Sequence, residues 1–178
     1  MTDTNKLHCQ RESLLMALHD NPQPSTHLTT QYIMTYLAPL DPPVSIDTGL
    51  MIVNVRPGGW VRGPDINGQF IAPGADWLRI MPGGTFRLDV RGLIETDDGA
   101  HIYMSYNGII KNSAESAERL SNGELLTDKD IPYFIAAPTF QTSAEKYAWL
   151  NDIQCINKMT EIQFGPEGYV KYDVFLIS

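Results

Sequence analysis

From residue 26 to the C-terminus, the chain is interrupted at short intervals by residues that turn a backbone. They are Pro57-Gly58-Gly59, Asn67-Gly68, Pro73-Gly74, Pro82-Gly83-Gly84, Asp98-Gly99, Asn122-Gly123 and Gly165-Pro166-Glu167-Gly168. Between them lie stretches rich in β-branched and aromatic residues, such as 32–37 and 169–175. Proline fixes φ and glycine admits a positive one, so no long helix passes through such points. Many short strands at ~8–12-residue spacing predict an antiparallel sandwich or barrel. One helix interrupts them. Ser113 offers an N-cap, Glu115 and Glu118 sit early where the helix dipole favours acids, and Asn122-Gly123 stops it.

Residues 85–108 carry the clearest hairpin. Phe86, Leu88 and Val90 alternate with Arg87, Asp89 and Arg91, which gives one apolar and one polar face. On the returning strand, Ile102, Met104 and Tyr106 alternate with His101, Tyr103, Ser105 and Asn107. A three-residue loop, Asp97-Asp98-Gly99 with Gly99 in the left-handed position, sets Arg91 opposite Ser105 and Asp89 opposite Asn107. The polar rows then share a face. A two-residue Asp98-Gly99 turn would shift the register by one and split them.

The chain's 178 residues are enough for one domain with a sizeable core. Residues 1–25 differ from the rest. Leu7, Leu14, Leu15 and Leu18 form a stripe at roughly helical spacing, ended by Asn21-Pro22 and Pro24. This predicts a short helix over about 10–19 in an N-terminal extension, packed as a cap or used as a dimer contact. The main domain spans 26–178.

Composition narrows the function. Thirteen Lys and Arg against twenty-one Asp and Glu leave a net charge of −8, the wrong sign for gripping a nucleic-acid backbone. Cys9 and Cys155 build no disulfide framework and have no Cys-x-x-Cys spacing for zinc. No apolar run reaches the ~20 residues a bilayer span needs, and the charged N-terminus does not read as a signal peptide. The expectation is a folded cytoplasmic protein with no nucleic-acid or membrane partner, and a homodimer. Phosphate loops, dinucleotide fingerprints, His-Glu-x-x-His and Gly-x-Ser-x-Gly are all missing, and His8, His19, His27 and His101 are scattered. No metal or cofactor is expected, which leaves cofactor-free chemistry as the enzyme option.

Asp76, in Gly74-Ala75-Asp76-Trp77, is the leading candidate for a general base. A carboxylate beside a tryptophan on a strand entering an apolar interior acquires a raised pKa; the competing reading is a strand-start Asp satisfied by turn amides. Arg91 is a candidate to fix a carboxylate or enolate oxygen, or else pairs across the strand with Asp89. Tyr103 is a candidate proton donor to an oxyanion, or a core tyrosine. Asp89, His101, Asn107 and Asn151 are candidate polar contacts, although a histidine near a hairpin tip is more often simply exposed. Trp77, Tyr133, Phe134, Phe140 and Trp149 are candidate pocket walls or plain core.

In this order, the pieces resemble domain-of-unknown-function family 3237. The resemblance is carried by Gly58-Gly59 with Gly63-Pro64, Gly74-Ala75-Asp76-Trp77, Leu88-Asp89-Val90-Arg91, and Thr96-Asp97-Asp98-Gly99-Ala100 with Ile102-Tyr103. It continues through Ala137-Pro138-Thr139-Phe140, Tyr147-Ala148-Trp149-Leu150-Asn151 and Tyr172-Asp173-Val174, and so covers about residues 30–177. The resemblance implies a mainly β fold, a single antiparallel β-barrel with a central pocket and one or two short helices. In general architecture it is similar to allene oxide cyclase and dirigent barrels, which steer cyclisation or coupling without a metal or organic cofactor. Two features depart from the pattern: the N-terminal extension, and Gly92 where a larger side chain is expected.

The function expected is a cofactor-independent lyase, isomerase or cyclase acting on a small oxygenated apolar substrate. Asp76 moves the proton, Arg91 and Tyr103 stabilise an oxyanion, and Asn151 orients the substrate. The alternative is a non-catalytic binding or carrier barrel. An interior Asp and Arg together would favour the enzyme.

Overall fold

The computed structural model describes Pro24 and residues 26–178, so the helix expected over 10–19 lies outside the described residues. Eleven strands follow one another: β1 (Thr30–Pro39), β2 (Val44–Ser45), β3 (Leu50–Asn54), β4 (Gly58–Arg62), β5 (Asn67–Ile80), β6 (Thr85–Thr96), β7 (His101–Lys111), β8 (Leu126–Thr127), β9 (Phe134–Gln141), β10 (Cys155–Gln163) and β11 (Tyr169–Ile177). Helix α1 (Ala114–Ser121) lies between β7 and β8, and a 3₁₀ helix (Glu145–Asp152) between β9 and β10.

Hydrogen bonding runs β5-β4-β1-β11-β10-β9-β7-β6, and β6 pairs back onto β5. That ring is a closed eight-stranded antiparallel barrel, as the resemblance implies. Closure leaves these strands no open edge to pair with a second chain. Strand β5 is long enough to serve two neighbours: its start pairs with β4 and its end with β3. The two short strands β2 and β8 sit outside the ring, on β3 and β10.

Local chemistry places the turns. The loop between β6 and β7 is the three-residue form, with Gly99 at φ +85° and Thr96 paired to Ala100 through the backbone. Asp89 therefore faces Asn107 and Arg91 faces Ser105, the register that goes with the three-residue loop. Ser113 caps α1 by accepting the Ser116 N–H at 3.0 Å, and Gly123 leaves the helix at φ +76°.

The apolar rows point inward. Leu88, Val90 and Ile94 of β6, Ile102 and Met104 of β7, and Met34 and Tyr36 of β1 are buried in one cluster. The polar row of β6 and β7 faces solvent. This overturns the expectation that it borders the chemistry: one side of a two-sided wall can be dry, and the apolar row has taken it.

A buried carboxyl in an apolar barrel

Asp76 follows an irregularity in β5. Between Ile71 and Ala75, β5 advances four residues while β6 advances two, from Leu93 to Arg91. Such bulges bend a strand and re-aim the side chains beside them. After the bend, Asp76 and Leu78 line the interior while Trp77 and Arg79 point out. Asp76 is partly buried, and its Oδ1 accepts the backbone N–H of Asp89 at 3.0 Å. Loss of hydration pushes the carboxyl pKa up to about 7; the Asp89 N–H opposes the rise and the Asp89 charge adds to it. At neutral pH the group is divided between acid and base, which suits proton transfer.

The cavity that Asp76 enters is lined by apolar side chains and three tyrosines. Tyr36, Tyr106 and Tyr172 are 1%, 8% and 1% exposed and share this wall. Ring centroids of Tyr36 and Tyr172 stand 5.3 Å apart, and those of Tyr106 and Tyr172 6.2 Å. Burial raises all three phenol pKa values well above the usual range, and the Asp76 charge raises Tyr106 and Tyr172 further. They stay protonated, so each keeps an O–H to donate. Asn157, fully buried, donates from Nδ2 to the Tyr36 hydroxyl at 3.0 Å, with its Oδ1 unpartnered. The cavity volume is about 50 Å³, room for a few waters or a slim ligand segment.

Of the other candidates, Phe134 lines this cavity, and Phe140 is buried in the core without reaching it. Arg91, expected inside, faces solvent. Its guanidinium donates to Asp89 Oδ1 at 2.7 Å and lies over the Trp77 ring at 5.5 Å. Tyr103 also points out and is 37% exposed, because it occupies the polar phase of β7. His101 is exposed beside Glu95, at 3.5 Å. Asn107 turns outward and donates to the Leu88 carbonyl at 3.1 Å. Tyr133 is exposed with Lys111 over its ring, and Trp149 packs partly buried against the core from the 3₁₀ helix. Asn151 closes a turn, accepting the Thr142 N–H at 2.8 Å and donating to the Thr142 carbonyl at 3.0 Å. Their side chains do not line the cavity.

Tyr36, Tyr106 and Tyr172 are not among the sequence candidates. The signal was there: each stands in the apolar phase of its strand, so its hydroxyl had to go inside. Cys155 is a free buried thiol whose pKa is pushed up to about 11 by burial, which makes it an inert packing group. Among the described residues, no three His, Cys, Asp or Glu side chains converge as metal ligands.

The barrel and its interior define a class: small closed β-barrels with one buried carboxyl in an apolar cavity. The chain belongs to the family described as protein of unknown function (DUF3237), whose profile matches residues 28–177. It is 36% identical over 126 residues to the UPF0311 protein RPA1785 of Rhodopseudomonas palustris, covering 69% of this chain and 82% of that one. The crystal structure of RPA1785, a conserved protein of unknown function, superposes with a TM-score of 0.77 at 29% identity, covering 87% of this chain and all of that one. A β-barrel-like protein of Acinetobacter baumannii gives 0.67 at 28% identity, over 90% of this chain and all of its own. The hydroalkoxylation enzyme phnH of Penicillium herquei is 34% identical over 107 residues, which is 60% of this chain and 56% of that enzyme. The proteins this chain is similar to thus include a named enzyme beside relatives of unknown function.

Proposed function

We propose that this protein is a cofactor-independent acid–base catalyst, an isomerase, lyase or cyclase, acting on a small oxygenated and mostly apolar substrate inside the barrel. The observation that carries this reading is Asp76, a carboxyl lining an apolar cavity with its pKa near 7. Burying a charge-bearing group costs stability, and a barrel gains little structurally from one that, among the described residues, is bonded to a single backbone N–H.

In the proton-transfer step, the Asp76 carboxylate takes a proton from an acidic C–H or O–H of the substrate. Tyr106 or Tyr172, held protonated by burial, donates a hydrogen bond to the oxygen on which charge develops. The carboxylic acid then returns the proton to a carbon, so the enzyme ends as it began. Addition of an O–H across a C=C, the chemistry named for the fungal relative, fits the same balance: one O–H and one C=C are lost, and one C–O and one C–H bond form. Apolar walls hold the carbon skeleton in a reactive shape and exclude water.

A carrier without turnover is the second reading. It draws on Arg91, which lies outside and leaves the cavity without the cation expected there. The test is incubation of the wild type and Asp76→Asn in heavy water with a panel of enolisable ketones, enones, phenols and alkenols. Deuterium incorporation or cyclised product from the wild type, lost in the variant, supports the enzyme. Ligands retained by both proteins with neither exchange nor product support the carrier.

A further inference from the structure

At the helix end of the barrel the interior cavity has a neighbour. A second, apolar hollow of about 480 Å³ lies outside it, between Pro42-Pro43, α1 and the Phe164-Gly165 turn. Four residues line both spaces: Phe86, Asn112, Leu120 and Phe164. Three are hydrocarbon. The fourth is an amide, placed between the last residue of β7 and the Ser113 cap of α1.

Both polar atoms of the Asn112 side chain, Oδ1 and Nδ2, are sealed from solvent and have no hydrogen-bond partner among the described residues. An unpaired buried amide destabilises the fold that holds it. The neighbours offer nothing to offset that cost, since the polar capping of α1 is done by Ser113. A leucine would suit the site better on packing grounds alone. Because the residue lines the hollow, a turn of this side chain presents the amide as donor and acceptor to a group that enters there.

We infer that Asn112 is the polar anchor of an elongated binding channel made of the hollow and the cavity together. Its ligand carries a carbonyl or hydroxyl at one end for this amide, a slim apolar middle, and a second oxygen reaching toward Asp76. The inference rests on the cavity being the ligand site, as in the function proposed above. The sheet register sets the reach. Asp76 pairs with Val90, and Thr85 pairs with Lys111, the residue before Asn112. The two anchors are therefore about six residues apart along β6, roughly 20 Å at a strand's rise per residue. The narrowness of the inner cavity selects a chain or a flat, thin skeleton over a bulky one.

Two probes test this by binding alone: dodecanol, and the hydroxyketone made by placing a carbonyl on its penultimate carbon. Calorimetry on the wild type is expected to show the hydroxyketone bound about five-fold more tightly, the value of one added hydrogen bond in a dry site. In Asn112→Leu the preference disappears while dodecanol binds as before, and the melting temperature rises by about 2–4 °C because no protein hydrogen bond is lost. Asn112→Ala serves as a second variant with more room, and it loses the same preference. A wild type that binds the probes equally, or binds neither, overturns the inference. So does a variant that keeps the preference, or a pair of variants that melt lower and lose dodecanol as well, since the amide would then be structural. Asp76→Asn keeps the preference for the carbonyl even though it stops proton transfer. Failure of the catalytic reading is therefore distinguishable from failure of this one.

Discussion

Asp76 and Asp89 stand back to back on the barrel wall. The Asp89 N–H donates to Asp76 Oδ1 at 3.0 Å, while the two carboxylates face opposite sides. Outside, Asp89 holds Arg91 at 2.7 Å and Arg79 at 3.7 Å. Inside, Asp76 meets hydrocarbon and phenols. Two acids one strand apart thus have opposite electrostatic settings: one is neutralised by arginines in water, the other meets no cation among the described residues that line its apolar cavity.

Asp76→Asn separates catalysis from folding. The amide oxygen still accepts the Asp89 N–H, so the fold is expected to persist, with an unchanged far-ultraviolet circular dichroism spectrum. Turnover or isotope exchange falls about 10²–10⁴-fold, the range that one positioned acid or base supplies. An Asn variant within a few-fold of wild type removes Asp76 from the mechanism.

Stability against pH tests the environment of Asp76 without any substrate. Its folded pKa, about 7, lies above that of an unfolded aspartate, about 3.9. The folded state therefore holds the proton more tightly. That contribution is complete below about pH 4, declines as pH rises through the folded pKa, and is gone above it. A gap of about three units caps it at about 4 kcal/mol. Urea unfolding should show Asp76→Asn gaining on the wild type between pH 4 and pH 8. Parallel curves for the two proteins would mean that Asp76 is solvated.

Arg91→Ala and Tyr103→Phe are expected to leave turnover within about three-fold. Both side chains lie on the outer face, and an exposed ion pair such as Arg91 with Asp89 contributes about 0–1 kcal/mol. Steady-state assays of the two variants check this. A large loss in either would mean that the reaction uses the exterior of β6 and β7.

Alternation along β6 and β7 makes their apolar face legible in the sequence, while the register waits on whether the loop has two or three residues. The same pattern also said that Arg91, Tyr103 and Asn107 share the wet side. Choosing them as site residues favoured reactive side-chain types over the phase they occupy. Asp76 was legible because it breaks phase: it is a carboxylate in the row of Leu78. By the same logic Tyr36 beside Met34, Tyr106 beside Met104, and Asn157 between Cys155 and Met159 were polar groups condemned to the interior. Asn151 and Trp149 were not legible in this way, because a 3₁₀ helix has no two-residue phase and its contacts are set by the loop it closes. Asn112 sits past a strand end, where periodicity says nothing and only packing reveals what the amide meets.

Gly92 and Gly108 offer the sharpest test of whether the cavity is the ligand site. Both lie on the β6–β7 hairpin, yet an added methyl meets different surroundings. At Gly92 it would point into the cavity and reach Phe70 at 3.5 Å and Met104 at 3.7 Å, ordinary contact distances. Gly92→Ala should therefore fold at least as stably as wild type, gaining up to about 1 kcal/mol from the strand backbone. Because the methyl takes space from a cavity of only about 50 Å³, dodecanol binding and turnover should fall about ten-fold or more. At Gly108 the methyl would lie 2.6 Å from the Ala136 side chain and 2.9 Å from the Ile135 carbonyl, where β7 and β9 approach closely. Gly108→Ala should lose about 1–3 kcal/mol of stability to overpacking. Calorimetry and thermal melting on the pair decide the matter. A Gly92→Ala protein that is stable yet binds and turns over like wild type would mean that ligands do not use the barrel interior.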